Sequence, residues 1–282
     1  MPPVPRRQDC STLARLRMDR IDRAHVVLTG WRAAFLVRVL LVLAVSGCGL
    51  SAPAPSLDSY LGAAPQQDVT TMTRLSTGLR VGLTVINDVT GPESAPALSE
   101  AALTFVADQT RQHVAAILPL SVVKVAPPSA RKAGEPPVAW DHLARELGVD
   151  HLLLALVSSV EVRSATTLPL DGTQQGGGAM GRLPGSTTVQ HALAEIALLD
   201  AKTGAILARA EGRTLATLEQ LAGKLTSNAY PVIRRSGRMQ RIAAPRNDAE
   251  AHDVLRSLAA DEAIELAAYN LKERWDRTRL AP

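Results

Sequence analysis

His151-Leu152-Leu153-Leu154-Ala155-Leu156-Val157 decides how this chain is read. An unbroken apolar run of this length, following a turn at Gly148-Val149-Asp150, predicts a strand covered on both faces. A strand with one wet face would alternate instead. Beyond the run, Val160 and Val162 alternate with Glu161 and Arg163, as where a strand emerges at a sheet end. Downstream lies a second signal. Ala192, Ala194, Ile196 and Leu198 alternate up to Asp200-Ala201-Lys202-Thr203-Gly204, and Ile206, Ala208 and Ala210 then alternate with Leu207, Arg209 and Glu211. Two alternating runs joined by a turn with Asp at its start and Gly at its end predict a β-hairpin.

Upstream, Leu79, Val81, Leu83 and Val85 alternate and stop at Asn87-Asp88, which predicts a first strand. Ser99 is placed to cap a helix, with Glu100 favourable at its positive end. Leu103, Val106, Thr110, Val114 and Ile117 recur at helical spacing up to Pro119. Val122, Val123 and Val125 predict a second strand ending at Pro127-Pro128. Ser129–Pro137 reads as a polar loop. Trp140, Leu143 and Leu147 share a helix face, with Gly148 suited to the position after its end. Ser164–Thr188, containing Gly176-Gly177-Gly178, reads as a long loop. Leu215, Leu218, Leu221 and Leu225 read as a helix, Pro231–Arg246 as irregular, and the chain from Asn247 as helical, with Ile264, Ala268, Leu271 and Trp275 on one stripe. The expected fold is α/β, an α+β sandwich. It has a mixed sheet of about five strands with helices packed on it, residues 151–157 central, and a C-terminal helical extension.

The N-terminal region carries an address. The run Val39-Leu40-Leu41-Val42-Leu43-Ala44-Val45-Ser46-Gly47-Cys48 follows Arg32 and Arg38 with no acid between. Positive flank, short apolar core and small residues before a cysteine make an export signal. The run is too short to span a bilayer, which needs about 20 apolar residues. Val45-Ser46-Gly47-Cys48 reads as a lipobox, with cleavage between Gly47 and Cys48 and a diacylglycerol and an N-acyl chain on Cys48. Two or more chains anchor a protein stably where one does not. The region before the apolar core is long, and Met18 offers a later start. Arg6-Arg7 is followed by polar Gln8-Asp9-Cys10 and is not read as a twin-arginine signal. The expected organisation is a removed signal over 1–47, a flexible tether over 48–74, an α/β domain over 75–214, and a helical extension over 215–282. Tyr60 and Leu61 interrupt the tether and could dock back on the domain.

Removing the leader changes the charge. The whole chain has 31 Lys and Arg against 27 Asp and Glu, but residues 1–47 hold eight arginines and three aspartates. The remainder has 23 basic and 24 acidic groups, a net of −1. Global charge therefore gives no case for nucleic acid. Of the 2 cysteines, Cys10 leaves with the leader and Cys48 is acylated, so no internal disulfide is expected.

Catalytic signatures each have a plainer reading. Ser121-Val122-Val123-Lys124 and Lys202-Thr203-Gly204 match fragments of penicillin-recognising serine enzymes, but Ser121 opens a β-branched strand and Lys202-Thr203-Gly204 suits a turn. Gly176-Gly177-Gly178 lacks the Gly-Lys-Ser/Thr of a phosphate loop. His113, His142, His151, His191 and His252 have no metal-ligand spacing, and no metal or small-molecule cofactor is expected. Arg234, Arg235, Arg238, Arg241 and Arg246 form one basic segment without an acid among them. It reads first as a solvated loop. The functional reading gives Arg234, Arg235, Arg238 and Arg241 contact with an anionic envelope partner, since guanidinium suits phosphate and carboxylate.

The order of features resembles the rhombotarget-type envelope lipoproteins. More broadly it is similar to the α/β domain of penicillin-binding-protein activator lipoproteins, curli-secretion lipoproteins and the TolB amino-terminal domain. The resemblance covers about residues 58–215. It is carried by the lipobox, Asp58-Ser59-Tyr60-Leu61, the strand Leu79–Asp88, Leu147-Gly148-Val149-Asp150, Leu199–Gly204 and Arg209-Ala210-Glu211-Gly212. It implies a non-catalytic envelope role. The tail Asp276–Pro282 lacks the Gly-Gly sorting pattern of the rhombotarget type, and residues 164–188 lack the alternation of a membrane hairpin, so no pore is expected. Gly49 rather than aspartate after the cysteine favours the outer membrane. The expected role is a periplasm-facing outer-membrane lipoprotein that binds or assembles an envelope protein partner without catalysis. The alternative is a hydrolase acting on peptidoglycan or its precursors.

Overall fold

The computed structural model describes residues 52–61, 78–136, 139–169, 181–222, 230–236, 238–241 and 247–280, with 238–241 and 278–280 as backbone alone. Cys48 and Gly47 lie outside the described residues. So do Gly176-Gly177-Gly178, Leu225 and Arg246.

The elements in order are α1 (Leu57–Leu61), β1 (Leu79–Val89), α2 (Glu100–Ile117), β2 (Leu120–Val125), β3 (Ser129–Lys132), α3 (Trp140–Leu147), β4 (His151–Pro169), β5 (Arg182–Asp200), β6 (Ile206–Leu221), β7 (Val232–Arg235), β8 (Arg238–Arg241) and α4 (Asp248–Leu280). The strands form one mixed sheet in the order β2-β1-β4-β5-β6-β7-β8, with β3 also paired to β1. β1 is parallel to β2, β3 and β4, and every later pair is antiparallel. The fold is α/β with a mixed sheet and a C-terminal helix, as expected, but among the described residues the sheet has eight strands rather than about five.

The apolar run behaves as its pattern demands. Residues 152–157 are at most 2% exposed. Leu153, Ala155 and Val157 face α2 and α4, while Leu152, Leu154 and Leu156 face the side carrying α1 and α3. Burying both faces leaves no polar position, hence the continuous hydrophobicity. At the β5–β6 turn, the Asp200 carboxylate accepts from the Lys202 and Thr203 amides and the Thr203 hydroxyl. Gly204 takes φ +71°, and a side chain there would strike the Trp140 ring.

Four segments differ from their sequence readings. Ser164–Thr188 is not one loop: β4 continues to Pro169 and β5 starts at Arg182, in unbroken antiparallel register. Pro184 and Gly185 read as loop formers, yet the flanking threonines are good strand residues and the long pairing carries the prolines within it. Leu215, Leu218 and Leu221 lie on β6, not on a helix, so the proposed boundary at 214/215 falls inside a strand. Leucines three apart mimic a helical stripe. The pattern that governs is period two: Ala216 and Leu218 are buried while Leu215 is 49% exposed. Pro231–Arg246 contains the β7–β8 hairpin rather than only irregular chain. Ser129–Lys132 likewise pairs with the end of β1.

The two long helices cover one face. Ser99 caps α2 by accepting from the Ala102 amide, as its position predicts. Asn247 precedes α4 and accepts from the Glu250 amide. Ala259, Ala260, Ala263, Ala267 and Ala268 are buried on α4. These small residues bring the helix close to the sheet at Gly212, where a Cβ would meet the Ala263 carbonyl and Ala267 amide.

Candidate functional site

Residues 52–61, read as part of a flexible tether, lie across the face opposite α2 and α4. Leu57 and Tyr60 are buried against the cluster of Leu152, Leu154, Leu156, Ala197 and Leu199. Apolar burial alone would not set the chain direction, and polar contacts do so. Glu195, in the middle of β5, accepts from the Ser56 amide at 2.7 Å and the Leu57 amide at 3.1 Å. Arg209 pairs with Asp58 at 2.7 Å, and Arg213 donates to the Pro53 carbonyl at 3.4 Å. Arg131 lies over the Tyr60 ring, 5.3 Å from its centroid. Burial pushes the Glu195 carboxyl above the usual carboxylate range, and nearby Glu211 and Asp58 add to this, although the two amides oppose it.

This strap roofs a crevice of about 420 Å³. Its floor is the carboxyl end of β1 at Asp88 and the register partner of that residue on β4, Ser158. Its wall is the β1–α2 loop, held by a Ser94–Val160 bridge and by the Ala95 amide donating to the Ser159 carbonyl at 2.8 Å. The chain leaves β1 toward β2 on one side, while β4 lies on the other. Ligands of open α/β sheets bind outside strand carboxyl ends where the strand order divides in this way. The neighbouring Asn87 points to the other face, where its side-chain oxygen accepts from the Leu98 amide and its nitrogen donates to the Val157 carbonyl.

The polar groups of the crevice are incompletely matched. Asp88 is 1% exposed; its Oδ1 accepts from the Thr90 amide at 3.0 Å. Its Oδ2 is 3.8 Å from Arg131 Nη1, too far for a hydrogen bond. Ser56 Oγ, Asp88 Oδ2, Ser158 Oγ and Arg131 Nη1 are buried without a hydrogen-bond partner in the chain. Buried polar atoms are almost always paired, with protein or with ordered water, so these atoms call for a partner from outside the chain. The reading of the sequence did not single out Asp88, because a strand-ending Asn-Asp is ordinary turn chemistry.

A second concavity, about 770 Å³, lies between α2 and the start of α4. It is shallow, with Ala101, Phe105 and Val254 set beside Glu250, Asp253 and Arg256, and Phe105 is 39% exposed. Beneath its edge runs a chain of charges. Ser99 donates its hydroxyl to Asp253, Arg256 reaches Asp253 and Glu161, and His252 Nδ1 meets Glu161 at 2.6 Å. Burial pushes the Glu161 carboxyl up, but the His252 hydrogen bond and Arg256 outweigh it and hold it below the usual range. This network joins β4, α2 and α4.

Of the four arginines proposed for an anionic partner, Arg234 already pairs with Glu219 of β6 at 3.1 Å. Arg235 donates to the Leu258 carbonyl and to Asp261 of α4, both at distances of 3.3–3.4 Å. Asp261 also holds His113 Nε2 at 2.8 Å, and this bond raises the imidazole pKa against the opposing effect of burial. Arg238 and Arg241 lie on β8, whose side chains are outside the described residues. Ser121 lies on the edge strand β2 and Lys202 in the β5–β6 turn. Among the described residues, no group of three or more His, Cys, Asp or Glu is arranged to hold a metal, and no helix is long and apolar enough to cross a membrane.

No family model matches the chain, and no curated protein matches it. Among solved structures, it is similar to a PelC dodecamer from Paraburkholderia phytofirmans, at 14% identity and a TM-score of 0.28, covering 70% of this chain and 91% of that one. It is also similar to a homolog of the neuraminyllactose-binding hemagglutinin from Helicobacter pylori, at 7% identity and a TM-score of 0.32, covering 77% of this chain and 92% of that one. At these scores neither likeness bears on function.

Proposed function

We propose that this chain is a lipid-anchored protein of the bacterial outer membrane, facing the periplasm, that acts as a non-enzymatic binding or assembly module. The observation that carries the reading is the run from Val39 to Cys48, with its positive flank and small residues before the cysteine. The docked strap supports it in a specific way. Ala52 is only four residues beyond Cys48, a span of at most about 14 Å for extended chain. An acylated Cys48 would therefore hold the strap-bearing face near the bilayer rather than at the end of a long leash. The concavity beside the exposed Phe105, on the opposite face, would remain turned toward the periplasm and suits a protein partner, with Phe105 as an apolar contact and Glu250, Asp253 and Arg256 as polar ones.

Two experiments test this. Cells expressing the full chain are labelled with a clickable fatty acid. The expected outcome is incorporation that Cys48→Ser abolishes, with an unprocessed precursor accumulating. Equal labelling of the variant would end the lipoprotein reading. Crosslinking from a photoreactive residue at Phe105 is expected to capture a discrete envelope protein. Absence of any crosslink there, in cells where the chain is anchored, would remove the concavity from the proposal.

A further inference from the structure

We propose that the crevice between the strap and the carboxyl ends of β1 and β4 binds a primary alkylammonium group, with Asp88, Ser158 and Ser56 as its three acceptors. The proposal rests on the reading of this chain as a binding module, and not on its lipid anchor. It begins from what the carboxylate lacks. Asp88 is buried on a sheet face, its Oδ1 is used by the Thr90 amide, and its Oδ2 accepts no hydrogen bond from the chain. Arg131 balances the charge from 3.8 Å without supplying a donor. A buried carboxylate oxygen left in that state costs free energy that a charge-assisted donor recovers.

The donor count selects the ligand. An ammonium carries three N–H donors and no acceptor. The lining offers three oxygens that can accept, Asp88 Oδ2, Ser158 Oγ and Ser56 Oγ, all unmatched in the chain, while the unmatched donor Arg131 Nη1, 3.8 Å from Asp88 Oδ2, lies behind the carboxylate and outside that lining. Asp88 and Ser158 are register partners on adjacent parallel strands and so project side by side, while Ser56 comes from the roof. A hydroxyl would supply only one donor and no charge. Glu93 on the wall adds a further negative charge to a lining whose nearest cation is already committed to Asp88 and the Tyr60 ring. The remainder of the lining, Pro53, Pro55, Pro92 and Val160, is apolar and suits the methylenes of an aminoalkyl chain. Such a group is carried by an aminophospholipid headgroup, by a lysine or diamino-acid side chain, or by a free amine.

The test uses the full-length protein in a non-ionic detergent, titrated with butylammonium and, separately, with butyltrimethylammonium, by calorimetry. The second probe has the charge and chain but no N–H donor. Binding of the first with at least about tenfold preference over the second is expected, because the missing hydrogen bonds leave buried acceptors unpaired. Asp88→Asn keeps the acceptor for Thr90 but removes the charge, and is expected to weaken binding at least about tenfold. Ser158→Ala is the milder variant, expected to weaken it several-fold while leaving the fold intact by circular dichroism. Equal binding of the two probes, or affinity unchanged in both variants, would overturn the assignment. Vesicles containing phosphatidylethanolamine, compared with phosphatidylcholine vesicles and with free ethanolamine, identify the source. A preference for the first assigns a lipid headgroup, and a response to free amines alone assigns a soluble ligand; either upholds the ammonium site. Cys48→Ser is expected to bind butylammonium unchanged, so failure of the anchor reading and failure of this site are read separately.

Discussion

Glu195 shows how one side chain can hold a peripheral segment at a cost to itself. Its carboxylate collects the Ser56 and Leu57 amides, and burial raises its pKa above the ordinary value. A carboxyl with a raised folded-state pKa binds its proton more tightly folded than unfolded. Stability attributable to it therefore falls as pH rises from the ordinary glutamate value through the folded one. Glu195→Gln keeps an acceptor and removes the buried charge, so the denaturation midpoint is expected to hold or rise at neutral pH, with a flatter pH dependence. Glu195→Ala leaves both amides unpaired and is expected to release the strap, seen as protease cleavage within residues 52–61 while the sheet stays intact. Equal protection in both variants would count against this. His113 has a dependence of the same sign, in the higher pH window of an imidazole. Its raised pKa, held by Asp261, gives stability that is full below the ordinary histidine value and lost as pH rises through the folded value. A pH series of chemical denaturation on wild type and His113→Ala should show that component vanish. At this scale the sequence was hard to read: Asp88, Ser158 and Glu195 matter through partners far along the chain, and no local spacing reports a register.

Elements were legible where a single period governed them and obscure where two competed. The run 152–157 and the hairpin at Gly204 follow from burial and turn chemistry alone. β6 did not, because Leu215, Leu218 and Leu221 satisfy a helical spacing while Ala216 and Leu218 satisfy a strand. The two descriptions separate on mutation. On a helix, Leu215 and Leu218 would share a buried stripe and cost alike. On β6 as found, Leu218→Ala is expected to cost about 2–5 kcal/mol, and Leu215→Ala to change stability by no more than about 0.5 kcal/mol. Gly212→Ala probes the helix approach, since its Cβ would meet backbone of α4 that cannot rotate away. A loss of about 1–3 kcal/mol in urea unfolding is expected. The C-terminal helix itself was readable from its stripe, but not that its alanines set its distance from the sheet.

At the scale of the whole molecule, the charge over residues 48–282 nearly cancels, so any electrostatic partner must be met by a local patch. The basic segment 234–241 was the candidate from sequence, and its fold placement divides it in two. Arg234 and Arg235 are held by Glu219 and Asp261, carboxylates that come from β6 and α4 and were invisible as partners in the linear sequence. Arg235 also donates to the Leu258 carbonyl, tying the sheet edge to the long helix. Replacing Arg235 with Gln is therefore expected to cost stability, on the order of 1–3 kcal/mol, by leaving Asp261 with one partner fewer. Arg234→Gln is expected to cost less, about 0–1 kcal/mol, because its side chain is half exposed. The anionic-partner proposal then rests on the pair Arg238→Gln and Arg241→Gln, made together. If an envelope partner or anionic lipid is met here, that double variant should keep its denaturation midpoint, lose association, and show a shallower salt dependence. Association unchanged across a salt series, with stability also unchanged, would leave the β8 strand a solvated sheet edge with charges that keep it from pairing with another chain.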